Sequence, residues 1–157
     1  MHDEEIILSQ LWLEQYLGHK GPKIAVGTTS LRSLESFHWI GAKLIETGEL
    51  SPLSQFEAYT LNPSLTVTQT YSALLDALKK RGIMELALHT QLMITPGYTF
   101  KTVKGIVTNF HQPGSTLLLL VSAGVGVQWR EIYTHALDHD YRFLSYGDSS
   151  LLLFQGS

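Results

Sequence analysis

Short aliphatic runs alternate with helix-length stretches along the whole chain, and glycine, proline or a capping residue marks nearly every change. Few architectures accept that rhythm. Strands that alternate with helices build α/β domains, so the expected fold is α/β: a largely parallel sheet with flanking helices. Glu4 to Leu8 reads as a strand, Ser9 as the cap of a helix ending at Gly18, and Lys23 to Val26 as a second strand. Gly27 turns the chain into a helix carrying Leu31, Leu34, Ala42 and Ile45, closed near Gly48. Residues 50 to 65 contain Pro52 and Pro63 and read as loop, with one short strand around Glu57 to Leu61. Thr66 opens a helix with Val67, Tyr71, Leu74, Leu75 and Leu78 on one side; Lys79, Lys80 and Arg81 suit its C-terminal dipole, and Gly82 ends it.

Beyond that point, Leu86 to Ile94 and Gly105 to Thr108 read as strands. Ser115 caps an almost wholly apolar helix, Thr116 to Ala123, expected to be buried because it has no polar face. Trp129, Ile132, Tyr133, Ala136 and Leu137 form an amphipathic helix. Tyr141 to Leu144 and Ser150 to Phe154 read as strands around a Tyr146-Gly147-Asp148 turn, and the Gln155-Gly156-Ser157 tail is set aside. No linker or repeat divides residues 1–157, so a single domain is expected.

Composition removes several classes of function. Hydrophobic residues make up 44% and charged residues 16% of 157, enough for a packed core and too little charge for disorder. No cysteine is present, which excludes a disulfide scaffold, thiolate zinc and cysteine catalysis together. A net charge of -3 does not fit a basic nucleic-acid module. The start, Met1-His2-Asp3-Glu4-Glu5, is acidic where a secretory signal would be basic, and the apolar run from Leu117 to Ala123 is too short to span a bilayer. A soluble, cytoplasmic protein without a membrane partner is expected.

In such sheets ligands bind beyond the carboxyl ends of the strands, so the loops there hold the candidate residues. Val26-Gly27-Thr28-Thr29-Ser30-Leu31-Arg32 is a strand-to-helix turn. Its free amides and the hydroxyls of Thr28, Thr29 and Ser30 can hold a carboxylate or phosphate, with Arg32 adding a charged fork; equally, they can serve only to cap the helix. Thr108-Asn109-Phe110-His111-Gln112-Pro113 places Asn109 and His111 after a strand. There His111 can move protons, or merely bond to the loop backbone. In Tyr141-Arg142-Phe143-Leu144-Ser145-Tyr146-Gly147-Asp148, the arginine and tyrosines can stack on a base or hold a carboxylate, and Asp148 can bind ribose hydroxyls or act as a base. The plainer alternative is an edge strand and turn. Tyr98 and Phe100, in Pro96-Gly97-Tyr98-Thr99-Phe100-Lys101, fit core packing. His135 and His139 have zinc spacing but no third ligand, and read as a solvated helix flank.

Taken in order, the segments at 26–36, 96–101, 108–117 and 141–148 resemble the C-terminal part of the S-adenosylmethionine:tRNA ribosyltransferase-isomerase family of queuosine biosynthesis, over nearly the whole chain. The sequence departs from that pattern at Lys104, Gln112, Leu144 and Ser149-Ser150. The resemblance implies part of a distorted α/β barrel within a larger two-domain enzyme. It also implies S-adenosylmethionine as co-substrate, no metal, and tRNA as the partner of the complete enzyme. The implied reaction moves the ribosyl part of S-adenosylmethionine onto 7-aminomethyl-7-deazaguanine in tRNA, giving epoxyqueuosine. On that reading His111 handles protons, Asp148 is base or ribose anchor, and Thr28, Thr29, Ser30 and Arg32 hold a carboxylate or phosphate. Asn109 and Arg142 bind substrate, and Tyr98, Phe110 and Tyr146 offer rings to a flipped base. With its net negative charge the chain alone is expected to bind tRNA weakly, unless Lys101, Lys104 and Arg142 make a local patch. An inactive fragment, or an anion- or nucleotide-binding domain, is the alternative.

Overall fold

The computed structural model describes residues 3–154; the Gln155-Gly156-Ser157 tail lies outside them. In chain order the elements are β1 (Glu4–Ser9), α1 (Gln10–Gly18), β2 (Ile24–Val26), α2 (Thr28–Thr47) and α3 (Val67–Arg81). Then come β3 (Glu85–Thr90), β4 (Gly105–Asn109), α4 (Thr116–Val125), α5 (Trp129–Asp138) and β5 (Ser149–Leu153). The chain gathers into two compact units, Met1–Gly21 with Ser33–Leu92, and Pro22–Arg32 with Met93–Ser157.

In the first unit β1 and β3 pair antiparallel, Ile6 opposite Leu88 and Leu8 opposite Leu86. Local chemistry sets its helix ends as the sequence implies. The Ser9 hydroxyl accepts from the Trp12 N–H at 3.2 Å. Thr66 and Gln69 form a reciprocal capping box, and Gly82 closes α3 in the left-handed region at φ 65°. Leu13, Tyr71, Leu74 and Leu78 are fully buried, and the Tyr71 hydroxyl donates to the Leu34 carbonyl at 2.8 Å. A side chain at Gly41 would strike the Thr70 backbone, so glycine there lets the backbones of α2 and α3 approach closely.

The second unit holds a three-stranded sheet in the order β2-β4-β5. β2 runs parallel to β4, whereas β5 runs antiparallel to it. The sheets are therefore mixed rather than largely parallel, and no barrel closes among the described residues. The cause is the pair of helices between β4 and β5. They return the chain to the edge it left, so Asn109 faces Ser149 and β5 runs back along β4.

Three local expectations also change. Tyr141 to Leu144 is irregular chain leading into a turn, because Leu144 takes a left-handed conformation at φ 71° that no strand accommodates. Glu57 to Tyr59 is a short 3-10 turn; the Glu57 carboxylate accepts from the Ser54 N–H at 2.9 Å and pairs with Lys43 at 2.6 Å, which holds that segment coiled. The strand begun near Leu86 ends at Thr90. Helix α4 buries Leu118, Leu120 and Val121 but leaves Leu119 38% exposed, so an all-apolar helix here is only partly covered.

Candidate active site

Parallel pairing sends β2 and β4 out of the second sheet at the same edge, and antiparallel β5 enters there. The Thr28 turn, the Asn109–His111 loop and the Arg142–Asp148 loop therefore share one edge, the one at which open α/β sheets bind ligands. Gly27 makes the first turn possible: its φ of 89° suits glycine, and its N–H donates to the Val107 carbonyl at 2.8 Å.

The other two loops are laced together. The Leu144 N–H donates to the Phe110 carbonyl at 2.9 Å. The Asn109 side-chain amide donates to the Gly147 carbonyl at 3.1 Å and to the Ser149 hydroxyl at 3.4 Å. Asp148 closes its own loop, accepting from the Arg142 N–H at 2.8 Å and from the Arg142 guanidinium at 3.2 Å. These two bonds, the backbone one first, hold the Asp148 carboxyl below the usual carboxylate range. So engaged, Asp148 is a poor proton acceptor and a well-placed fixed charge. Gly147 is required because any side chain there would run into the Arg142 carbonyl.

His111 is held from both ends. Its backbone N–H donates to the Tyr133 phenol oxygen at 3.1 Å, and its ring Nε2 lies 2.9 Å from the Thr108 hydroxyl. Half-burial lowers its pKa, so the ring is neutral at neutral pH. Burial raises the pKa of Tyr133, partly offset by the bond from His111, and the phenol stays protonated.

Not every candidate residue reaches this edge as an accessible group. Thr29 and Ser30 are exposed and Thr28 is half-buried in the first turn of α2. Arg32 is only 1% exposed, and a guanidinium that deep is satisfied inside the protein rather than by solvent. Tyr98 is buried edge-on against Phe100, so it is no platform for a base. Phe110 is also buried, packed against Tyr133, Tyr141 and Phe143. Tyr146 is the opposite case, 97% exposed at the loop tip and the one ring of the three free to stack.

Lys104 precedes β4 and Arg142 joins the loops after it, on the order of 15–20 Å of strand away. The His135 and His139 rings stack at 3.9 Å, and no metal-binding cluster occurs among the described residues. Beside the edge a groove of about 530 Å³, lined by Phe110, Glu131, His135, Tyr141 and residues of β5, takes in neither His111 nor Asp148.

Thr108 and Tyr133 are the two site residues that sequence reasoning passed over. Thr108 stood in view three residues before His111, but a strand threonine carries no mark of its partner. Tyr133 read as part of the apolar stripe of α5. Its signal was the hydroxyl itself, which needs a partner once the ring is buried.

Comparison with known proteins places this geometry in a lineage. Residues 1–152 match the family described as queuosine biosynthesis protein. A protein of Erythrobacter litoralis named S-adenosylmethionine:tRNA ribosyltransferase-isomerase is 41% identical over 87% of this chain and 28% of its own. One of the same name from Burkholderia ambifaria is 38% identical over 97% of this chain and 34% of its own. The crystal structure of an S-adenosylmethionine tRNA ribosyltransferase from Thermotoga maritima is 28% identical, covers 95% of this chain and 40% of that one, and superposes with a TM-score of 0.59. The chain spans about a third of the length of the curated relatives it matches. No helix among the described residues is long and apolar enough to cross a membrane. With a family match across almost every residue, and relatives that align over both units, the chain belongs to the queuosine biosynthesis protein family.

Proposed function

We propose that this chain is the C-terminal portion of the larger domain of a two-domain cytoplasmic enzyme that modifies tRNA. The enzyme moves the ribosyl part of S-adenosylmethionine, its co-substrate, onto the aminomethyl group of 7-aminomethyl-7-deazaguanine in a tRNA anticodon. Adenine and methionine leave, and epoxyqueuosine forms. The rest of the full-length chain would complete the α/β barrel that the mixed sheets of this portion do not close.

The observation that carries the reading is the shared sheet edge, where the Thr28–Ser30 turn, the neutral His111 ring and the Arg142–Asp148 clasp stand together. In this scheme the Thr28–Ser30 turn takes the methionine carboxylate or a phosphate. Asp148, already ionised and fixed, is better suited to anchoring ribose hydroxyls than to removing a proton. The exposed Tyr146 ring meets a base, Asn109 and Arg142 shape the loops around it, and His111 serves the departing adenine. A neutral imidazole that donates a hydrogen bond stabilises charge developing on a leaving base.

The test is adenine release by a full-length member of the family altered at the position of His111. His111→Ala is expected to slow release by about 100-fold or more with the fold retained, and near-normal turnover would refute the role. For this chain itself, a calorimetric titration with S-adenosylmethionine that gives heat supports a preserved pocket, whereas none favours an inert fragment. Tight, saturable tRNA retention at low salt would contradict the expected weak binding.

A further inference from the structure

We infer that Thr108 is a positioning residue that fixes the His111 ring in one tautomer, with the proton on Nδ1 and a bare lone pair on Nε2. The number of protons the pair can place sets the tautomer. Thr108 is 5% exposed as a residue, its contact with His111 Nε2 at 2.9 Å is part-buried, and Nε2 is the one hydrogen-bond partner of its hydroxyl among the described residues. A hydroxyl has one proton to place. If Thr108 accepted a bond from a protonated Nε2, its own proton would be buried without an acceptor, a cost of about 1–3 kcal/mol. If Thr108 donates to Nε2, the hydroxyl proton and the Nε2 lone pair satisfy each other. In a neutral ring the proton then sits on Nδ1.

The surroundings hold that arrangement in place. Thr108 sits in β4 opposite Ser150, whose hydroxyl donates to the Thr108 carbonyl at 3.3 Å, so the strand position is fixed. On the far side, the Tyr133 phenol oxygen accepts from the His111 backbone N–H, which ties down the loop that carries the ring. Nδ1 has no partner among the described residues and is the ring atom left for a ligand. What it presents is an N–H donor, matched to a heterocyclic nitrogen or an oxygen acceptor. Through Nδ1, His111 does not act as a base. This last consequence rests on the proposed function, since it assigns His111 to the departing adenine rather than to the proton beside the sulfonium. The tautomer does not depend on that function.

The experiment is a long-range ¹H–¹⁵N correlation spectrum of the imidazole rings of this chain at neutral pH, with the His111 signals identified by their loss in His111→Gln. The expected pattern has Nδ1 protonated and Nε2 bare. Thr108→Val, which keeps the shape and removes the hydroxyl, should shift the His111 population toward the Nε2–H form. Thr108→Ser should restore the parent pattern, a rescue that a purely structural role would not require. A protonated Nε2 in the parent chain overturns the inference, as does a Thr108→Val spectrum with the His111 tautomer unchanged. If Thr108→Val does not fold, the parent and Thr108→Ser spectra still decide. A failure to bind S-adenosylmethionine would count against the proposed function and leave this spectrum as it is.

Discussion

The two units each carry one sheet with a covered face and an open face, and the open faces differ in kind. In the first unit Ile6, Leu8, Leu88 and Thr90 face inward, while Glu5, Ile7, Glu85, Ala87 and His89 face out. That outer row is mostly polar or small, with Ile7 its one large apolar residue at 60% exposed, and His89 pairs with Asp3 at 2.8 Å. The second unit covers Ala25, Ile106 and Leu152. Its outward row is Ile24, Val26, Val107, Leu151 and Leu153, with Val26 70%, Leu151 60% and Leu153 62% exposed. The first sheet has the alternation of strands that meet water on one side. The second is written without alternation, the pattern of strands enclosed on both sides, yet this chain encloses only one. Apolar sequence alone does not produce burial; something must be available to cover it.

Breaking the covered face should have the largest effect. Ile106 is fully buried, so Ile106→Asp is expected to cost about 4 kcal/mol or more and to unfold the second unit, followed by circular dichroism in urea. Leu151→Asp, one strand away on the open face, should stay within about 1 kcal/mol. Equal losses at the two positions would end the distinction between the faces. Next comes Gly105, where an added Cβ would run into the Leu152 carbonyl and press on Ile24 and Leu153 at 3.2 Å each. Gly105→Ala should destabilise by about 1–3 kcal/mol in the same assay, because one of its obstacles is backbone.

A smaller stability change, and a clear change in surface, is expected from joint Leu151→Lys and Leu153→Lys. Binding of an apolar-surface dye should fall several-fold, whereas Ile7→Lys on the first sheet should barely alter it. The smallest effect concerns pH. His111 has a folded pKa below its ordinary 6.5, so above that pH the ring is neutral in both states and its contribution to stability is complete. As pH falls through 6.5 toward the lower folded value, the unfolded chain takes up the proton first and stability declines. His111→Gln should remove that component from a pH series of urea midpoints.

Much of this molecule is legible in the sequence because its signals are local. Ser9, Thr66 and Ser115 cap the helices they precede, and Gly82 ends the helix before it, since a cap needs only neighbours a few residues away. The loops holding His111 and Asp148 were found for the same reason, as each follows or precedes an aliphatic strand. Their working partners were less visible. Asp148 reads as a base or a ribose anchor, and nothing in the sequence marks Arg142 as the partner that clasps its carboxylate once the chain folds back. Arg32 reads as an exposed fork until the fold buries it, and Phe110 as an open ring until neighbours close over it, whereas Tyr98 packs into the core as its turn suggests.

The sequence by itself determined the caps, the helix faces, the strand positions and the order of the loops that carry chemistry, because each depends on residues within a turn or a strand's length. Only the tertiary structure decided that β5 runs antiparallel, that one sheet face stays bare, and that Tyr133 holds the His111 backbone. Those outcomes depend on which distant segments meet, and pairing, burial and hydrogen-bond partners are properties of the meeting rather than of either segment.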